Sequence, residues 1–534
     1  MKIILFITGL FISQIALSQD NHFSGHFSGH NNTGNNNAFF GRYNAYNGGN
    51  GSSGAFNSIF GIRAGERNTT GRGNSFFGRQ AGWLNTTGED NSYFGLSTGG
   101  TNRTGSNNSF FGATAGVQNK GSDNSFFGKL AGSLNQSIKN SFFGFESGRK
   151  NSTGFYNSFF GATTGRFNTT GRYNCFFGNN AGENNSIGSF NNFFGSSSGN
   201  DNISGELNSF FGHASGNKNK TGSNNAYFGQ NAGAEGQVGS NNSFFGTQAG
   251  FNNEASNNCF FGFESGRLNR IGEENSFFGY KTGQSNSGNN NVLFGYEAGT
   301  NNSTGNSNSF VGSSSGSLNT TGGGNTFYGG SSGYSNVDGS TNTYLGYFSG
   351  ASSTGKNNTS IGAFSGWLLT GDNNICIGIA SGPSQTNSFS NRLYIDNKAN
   401  DTPLIYGEFD NDFVKINGTF EVTAGLSNPS DVNLKNNFEA VNPTDILNKI
   451  EDLPITKWTY KDRQSETHIG ATAQDFHSAF GLGTDDKLIS TIDADGVALA
   501  AIQALKKEND SLKEKINLQQ SQIERLFSIL KIEK

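Results

Sequence analysis

The chain has 534 residues, and 79 of them are Gly and 51 are Phe, beside only 5 Pro and 1 Met. Hydrophobic residues make up 32%, which is low for a globular enzyme, and the 14% of charged residues argues against a disordered polyelectrolyte. The net charge of −4, without a recurring basic stripe, argues against nucleic acid as a partner. Cys175, Cys259 and Cys376 are widely spaced and form no CxxC or Cys/His cluster, so the sequence predicts no disulfide framework, metal site or cofactor.

Residues 1–18 have the pattern of a signal peptide. Lys2 supplies a positive charge, an apolar stretch follows, and Ala16-Leu17-Ser18 places small residues before Gln19. The apolar stretch of roughly 15 residues is short for a membrane span, which needs ~20. A buried helix or a membrane anchor is the alternative. The sequence therefore predicts a secreted or cell-surface protein, with no membrane span after signal removal and an N-terminal segment over 19–37.

Residues 38–384 consist of many copies of a single short repeat. The motif NSFFG, or a near variant, ends 21 times on a glycine, and after a first interval of 20 every spacing is 16 or 17. A full unit, residues 74–90, reads NSFFGRQAGWLNTTGED. The motif glycines stand at positions 41, 61, 78, 95, 112, 128, 144, 161, 178, 195, 212, 229, 246, 262, 279, 295, 312, 329, 346, 362 and 378.

Each unit is too short to bury a core alone, so successive units must stack. Asn-Ser-Phe-Phe favours a strand, and Phe76 and Phe77 must then point to opposite faces. One ring can face the inside of its own coil. The other would leave a long exposed aromatic surface, which predicts an oligomer in which this surface packs on copies of itself. Glycines suit the corners, and stacked Asn side chains can bond along the stack.

The predicted fold is mostly β: a parallel β-solenoid or β-roll shaft with two short strands per coil. At ~4.8 Å per coil, the shaft would be roughly 100 Å long. A disordered Gly/Asn-rich tract is the alternative. The unit resembles the Asn-Ser-x-x-x-Gly repeats in the head domains of trimeric autotransporter adhesins, which form left-handed β-rolls packed three around an axis. That resemblance implies a trimeric shaft.

A carbohydrate-cleaving site in the shaft would need two placed carboxylates. The acidic residues are instead scattered, mostly in turns, and the motif FESGR predicts surface ion pairs between Glu146 and Arg149 and between Glu264 and Arg267. The scattered acidic residues are Glu89, Asp90, Asp123, Glu146, Glu183, Glu264, Glu273 and Glu274.

The repeat ends near residue 384, and residues 385–429 alternate short apolar runs with Asn/Asp turns, which predicts a β-rich neck. From 430 to 534 Gly falls and helical patterning appears. Over about 498–533, apolar residues at heptad positions a and d predict a coiled coil, with core packing as the alternative. Position a holds Ile502, Asn509, Ile516, Ile523 and Leu530, and position d holds Leu505, Leu512, Gln519 and Leu526.

Two motifs and the terminal heptads carry a second resemblance. SDVNLK at 430–435 and HIGATAQDF at 468–476, followed by the predicted coiled coil, resemble the intramolecular chaperone auto-processing domain. That domain, a serine-peptidase family, ends endosialidase tail-spikes, L-shaped phage tail fibres and some eukaryotic membrane-bound transcription factors. The resemblance covers residues 430–534 and implies an α-containing domain that drives trimer assembly.

The resemblance also implies chemistry. Ser430 would be the nucleophile and Lys435 the general base, and the bond between Pro429 and Ser430 would be cut. A serine hydroxyl needs a neighbour to take its proton, and a lysine can do so when burial favours its neutral form. Asp431 and His468 are accessory candidates, Asp431 as a cap of the following segment. The alternative is an N-capping Ser430 with a solvated Lys435.

Two departures from the family pattern keep a second outcome open. Pro429 is rigid immediately before the cut, and TAQDF replaces the more usual IAQE-like run. The leading prediction is an exported homotrimeric fibre or adhesin-like protein whose chaperone aligns the chains and then cleaves itself off, at most a single-turnover peptidase. The alternatives are the same fibre with a non-cleaving chaperone and a secreted tail-spike-like enzyme acting on carbohydrate. A cell-surface or glycan receptor is a further candidate partner.

Overall fold

The computed structural model describes residues 20–46, 52–386, 388–423, 428–461 and 463–530. The predicted signal peptide and the last four residues lie outside these ranges. The chain divides into two compact units, residues 1–419 and 420–534.

The first unit is a parallel β-solenoid. Each coil contributes one short strand, and 23 strands pair in parallel in chain order before the sheet ends in two antiparallel strands. The parallel strands have three residues each, except the last, which has four. The strands are β1 His22–Ser24, β2 Ala38–Phe40, β3 Ser58–Phe60, β4 Ser75–Phe77, β5 Ser92–Phe94, β6 Ser109–Phe111, β7 Ser125–Phe127, β8 Ser141–Phe143, β9 Ser158–Phe160, β10 Cys175–Phe177, β11 Asn192–Phe194, β12 Ser209–Phe211, β13 Ala226–Phe228, β14 Ser243–Phe245, β15 Cys259–Phe261, β16 Ser276–Phe278, β17 Val292–Phe294, β18 Ser309–Val311, β19 Thr326–Tyr328, β20 Thr343–Leu345, β21 Thr359–Ile361, β22 Ile375–Ile377, β23 Arg392–Ile395, β24 Ile405–Glu408 and β25 Phe413–Ile416.

The two phenylalanines of the motif do point to opposite faces, as the sequence predicts. Phe76 is buried inside its coil, whereas Phe77 stays partly exposed on the outer face. The inner rings stack on one another from coil to coil, as Phe76 does on Tyr93 with centroids 4.9 Å apart. The inner column is thus the core of the unit, and most coils supply one ring to it, with Ile59 and Leu293 in place of a ring in two coils.

Glycine is required at two corners of the coil. Gly78 has φ of +135°, and a Cβ there would lie 2.4 Å from the carbonyl oxygen of Gly95 in the next coil. Gly82 has φ of +60°, and a Cβ there would lie 2.6 Å from the inner ring of Phe76. The first corner needs close backbone approach between coils, and the second lets the chain pass over the aromatic core.

Buried asparagines form ladders along the stack, as the sequence predicts. The backbone N–H of Asn91 donates to Oδ1 of Asn74 at 3.1 Å, and Asn74 Nδ2 donates to the carbonyl of Gly88 at 2.9 Å. A second ladder links Asn85 Nδ2 to Asn68 Oδ1 at 3.0 Å. These bonds satisfy polar groups in a region without access to water, where an unpaired amide would be costly.

The change of period between 16 and 17 residues does not disturb the strands. Ser109 pairs with Ser125, and Ser125 with Ser141, in the same register as the 17-residue coils. The one-residue difference in coil length falls in the second turn. Backbone bonds there, such as Thr86 N–H to the carbonyl of Arg103, link the coils without forming a second strand. The structure therefore has one short strand per coil where two were expected.

The solenoid extends beyond both ends of the repeat. β1, within the segment 19–37 that was expected to precede the shaft, pairs with β2 in the register of the later coils. β23, in the predicted neck, pairs in parallel with β22, and β24 and β25 then turn back as an antiparallel extension. The motif HFSG at residues 22–25 has only one aromatic residue, which explains why the repeat does not identify this first coil.

The second unit combines a hairpin with helices. A 3-10 turn at Val432–Leu434 precedes α1 (Pro443–Glu451), the hairpin β26 (Thr456–Tyr460) and β27 (Arg463–Gly470), α2 (Ala473–Phe480) and the 40-residue α3 (Thr491–Leu530). Asn442 caps α1 by accepting from the N–H of Thr444, and Gly481 ends α2 in the left-handed conformation. Within the described residues, no helix has the length and apolar character required to span a membrane.

Candidate functional site

Ser430 and Lys435 lie together at the start of the second unit. The chain between them forms the 3-10 turn Val432–Leu434, and Lys435 Nζ lies 2.7 Å from Ser430 Oγ. Asp431 stabilises the turn because its Oδ1 accepts from the backbone N–H and the side-chain amide of Asn433, both at 2.9 Å. The five-residue spacing of the SDVNLK motif therefore places an amine against a hydroxyl.

The direction of that hydrogen bond matters for chemistry. As a charged ammonium, Lys435 donates to the Ser430 hydroxyl. As a base, the neutral amine would accept the hydroxyl proton along the same 2.7 Å line. Both side chains are exposed in the single chain. The geometry suits a nucleophile and base, while the surroundings in one chain do not yet provide the desolvation.

His468 occupies a different local environment. It lies on β27 opposite Trp458 of β26, and its ring stacks on that indole with centroids 4.7 Å apart and against Tyr460 at 5.5 Å. Its Nε2 is buried without a hydrogen-bond partner in the described part of the chain. The hydrogen bonds of the described residues do not join His468 to Ser430 or Lys435.

The TAQDF run, noted as a departure from the family pattern, has a structural role at the start of α2. Thr472 Oγ1 accepts from the backbone N–H of Asp475 at 3.2 Å, and its hydroxyl donates to Asp475 Oδ2 at 2.6 Å. Phe476, in the first turn of the helix, is buried. Thr472 and Asp475 thus form a variant of the capping box, a signal that was present in the sequence and was not used.

The apolar face of α3 divides into two parts. Val497, Ala501 and Ala504 are buried, and the helix packs against α1. The heptad residues are instead exposed, with Ile502 60% and Leu505 52% accessible, and the exposure continues at Leu512, Ile516, Ile523, Leu526 and Leu530. Packing within the domain therefore leaves the a/d stripe free over the described residues.

The carboxylates of the two FESGR motifs, Glu146 and Glu264, are held by neighbouring side chains. Glu146, a buried carboxylate, bonds Arg149 at 2.9 Å and Arg166 at 2.7 Å, and Glu264 accepts from Gln284 at 2.6 Å and lies 3.9 Å from Arg267. Both FESGR ion pairs predicted from the sequence are present, but Glu146 is buried and not at the surface as predicted. Among the described residues, no group of three or more His, Cys, Asp or Glu side chains is placed to hold a metal ion.

Comparison with known proteins finds a similarity in part of the second unit. Residues 430–481 match the model of the Peptidase_S74 family, described as the chaperone of endosialidase. The match begins at Ser430 and covers the turn, α1, the hairpin and α2. No curated protein and no solved structure matches the chain.

The chain thus joins a parallel β-solenoid to a chaperone-of-endosialidase domain. This combination fits a fibre with an intramolecular chaperone. Domains of this family act in trimer assembly, which is consistent with self-association of the chain.

Proposed function

We propose that this protein is an exported homotrimeric fibre whose C-terminal unit aligns three chains and then cuts itself off before Ser430. The observation that carries the proposal is the 2.7 Å contact between Lys435 Nζ and Ser430 Oγ at the first residue of the family match. The signal-like pattern of residues 1–18 supports export to the surface or the medium.

Self-association through α3 is supported by the exposed a/d stripe. Position a is mostly Ile, position d is mostly Leu, and Asn509 and Gln519 interrupt the stripe with polar residues. A polar residue at a core position fixes register and oligomeric state at some expense of stability. A coiled coil of three copies would bury these side chains and bring three shafts into the same register.

The shaft offers a second self-association surface. From Phe40 to Phe278 each coil places one outward ring on the next, as Phe77 does on Phe94 with centroids 4.7 Å apart and planes 4° apart; we call this run of rings the outer aromatic column. Because the ring faces cover one another, the column presents ring edges to the outside. Edges can pack on apolar groups of other copies, whereas stacking on a sugar needs a free ring face.

The cleavage is an acyl shift followed by hydrolysis. Ser430 Oγ attacks the carbonyl carbon of Pro429 while Lys435 takes the hydroxyl proton. That proton passes to the leaving amide nitrogen of Ser430, so the peptide bond is replaced by an ester between Pro429 and Oγ. Water then splits the ester, which yields a Pro429 carboxylate and a free hydroxyl.

The order of events follows from folding kinetics. A stack of parallel coils relies on non-local pairing, and three such chains can associate out of register. A trimeric C-terminal unit would align the chains before the coils stack. Once it is removed, the assembled shaft could dissociate only over a high barrier, which is kinetic stability.

The test is to express residues 19–534 and compare the wild type with Ser430→Ala and Lys435→Ala on denaturing gels and by mass spectrometry. We expect a fragment of residues 430–534 from the wild type alone. Lys487→Ala, which changes an exposed lysine elsewhere in the same unit, is the matched control and should cut normally. A wild type that assembles but stays intact would leave a non-cleaving chaperone, and rigid Pro429 would be the first residue to replace.

The outer aromatic column can be tested with native thiols. Cys175 and Cys259 take the first position of their strands, two residues before Phe177 and Phe261, so they lie on the same outer face. If that face packs on other copies, a maleimide should label these cysteines slowly in assembled fibres and quickly in unassembled chains. Equal labelling in both states would place the interface elsewhere.

A further inference from the structure

An apolar groove lies in the second unit, which also carries the proposed processing site. Its volume is about 340 Å³. It lies between the start of α1, the end of α2 and the start of α3, and Asp493 is its one charged lining residue. The apolar lining includes Phe480, Leu482, Ile492 and Val497. The groove is large enough for aliphatic side chains.

The segment 430–440, which we call the arm, has apolar side chains without cover. Val432 and Leu434 lie on the turn between Ser430 and Lys435 and are 64% and 74% accessible, and Phe438 is 69% accessible. Apolar side chains at this exposure, on a segment of so little regular structure, indicate a surface that is covered in another state.

We propose that the arm of one copy seats Val432 and Leu434 in this groove of a second copy, so that the neighbouring copy completes the processing site. The inference rests on the proposed function. It adds the apolar cover that would make the exposed Ser430–Lys435 pair reactive. Covering the turn with apolar groups would exclude water from the pair and favour the neutral amine of Lys435.

The arm of a second copy is a better occupant of the groove than the arm of the same chain. Val441, which follows the arm directly, already lines the groove of the same chain, yet the described arm stays outside it with its apolar residues exposed. The groove also lies off the a/d stripe of α3, since its helix residues Ile492, Gly496, Val497 and Ala500 take other heptad positions. Three helices can therefore pair through the stripe while each groove stays open to a neighbour's arm.

This arrangement links cutting to assembly. A single chain holds Ser430 near Lys435 but leaves both in water, and only a correctly assembled set of chains supplies the covering groove. Cleavage before association would release a shaft that has not been aligned. The groove residues are positioning residues in this scheme, because they touch the arm and not the scissile bond.

The first experiment changes the groove in the full chain 19–534. Leu482→Glu puts a carboxylate into the groove at a side chain that is 38% accessible, and Leu488→Glu, 72% accessible and outside the groove, is the matched control. We expect Leu482→Glu to assemble and to cut at least about tenfold more slowly, because an apolar contact is replaced by a charge. Leu488→Glu should cut like the wild type. Normal cutting by Leu482→Glu would overturn the proposal.

Mixed assemblies decide between a second copy and the same chain. A Leu482→Glu chain with an intact Ser430 is coexpressed with a Ser430→Ala chain that has an intact groove, each carrying a different tag. If the groove acts between copies, the Leu482→Glu chain is cut in the mixture although it is not cut alone. If each arm uses its own groove, neither chain is cut.

A cross-link tests the docking independently of cleavage. In a Ser430→Ala background without Cys175 and Cys259, Leu434→Cys and Leu482→Cys are placed on separate chains and oxidised. A disulfide between the two chains supports the docking even if the wild type never cuts, which separates this proposal from the proposed function. Cross-linking only within a chain that carries both cysteines would overturn it.

Discussion

The two units of this chain bury their apolar residues in different ways. In the shaft, inner-column rings such as Phe159 and Phe210 are fully buried within one chain. In the second unit, the described hydrophobic residues that reach burial are Phe476, Val497, Ala501 and Ala504. The shaft is complete along its axis because each coil covers the next. The second unit leaves many large hydrophobic residues exposed, and the proposed function assigns them to contacts with other copies.

This difference predicts that the two units fail differently when they are damaged. A change in one coil is a local loss, since the stability of a solenoid is approximately a sum over coils and their interfaces. A change on the free surfaces of the second unit leaves the single chain almost intact and removes association.

The largest effect is expected at the a/d stripe of α3. Ile516→Asp together with Ile523→Asp would place charges at the core of the proposed coiled coil and should abolish trimers in the chain 19–534. Cleavage should be lost with them, because the proposed function makes cleavage follow assembly. Ser521→Asp, an exposed position between them on the helix and off the stripe, is the control. Light scattering measures the mass, and an unchanged trimer in the double variant would refute the coiled coil.

The next largest effect compares the two faces of one strand. Phe159→Ala removes a buried ring from the inner column and should lower the free energy of unfolding by about 3–5 kcal/mol, because a cavity remains among stacked rings. Phe160→Ala removes the adjacent outward ring, which is only partly covered, and should have a much smaller effect in unassembled chains. Denaturant unfolding in the Ile516→Asp/Ile523→Asp background makes the comparison. Equal losses would mean that the outer aromatic column contributes as much as the core within one chain.

The shaft was predictable from sequence because its physics is local. Alternation along a three-residue strand separates Phe76 from Phe77, and a period of 16 or 17 residues places each of them on its counterpart in the next coil. The first coil was not predicted because His22 stands where the motif has Ser, and Ser24 stands where it has the second Phe. The second segment of each coil was expected to be a strand. It forms turns instead, although backbone bonds such as Leu84 N–H to the carbonyl of Gly100 still link it to the next coil.

The second unit was less predictable because its contacts are not periodic. The spacing of Ser430 and Lys435 indicated a turn that brings them together, and the structure has that turn. The position of His468 beside Trp458 depends on hairpin pairing, which the spacing of motifs does not reveal. The groove at Leu482 combines residues from three helices and the segments that flank them, so no local sequence pattern predicts it.

A smaller effect is expected at the start of α2. Thr472→Ala removes the cap of the helix and leaves the N–H of Asp475 without its acceptor, which should reduce the stability of the second unit by about 1 kcal/mol. Ser478→Ala, an exposed change on the same helix, should have little effect. Hydrogen exchange of the α2 amides reports on this unit alone. Unchanged protection in Thr472→Ala would show that packing of Phe476, and not the cap, holds the helix.

The smallest effect is expected at alkaline pH, where buried tyrosines should make the stability of the shaft depend on pH. Burial raises the pKa of Tyr93, Tyr227 and Tyr344, all in the inner column, above that of a solvated phenol, and it raises the pKa of Cys376 to about 12. These groups stay protonated in the folded shaft, whereas the unfolded chain loses their protons above its own pKa values. The unfolded state therefore binds fewer protons at high pH, and stability falls as pH rises.

An unfolded tyrosine has a pKa of about 10. One buried tyrosine that stays protonated in the folded shaft therefore lowers the free energy of unfolding by about 0.8 kcal/mol at about pH 10.5. Tyr93→Phe removes that loss, although it also removes the 2.6 Å bond from Asn102 Nδ2, so the slope of stability against pH is the quantity to compare. We expect a shallower decline between about pH 9 and 11 than in the wild type. Tyr173→Phe, at an exposed ring, should keep the wild-type slope. An identical slope in Tyr93→Phe would mean that hydroxide reaches the inner column before the coils unfold, and the shaft core would then open locally at a free energy below that of the whole stack.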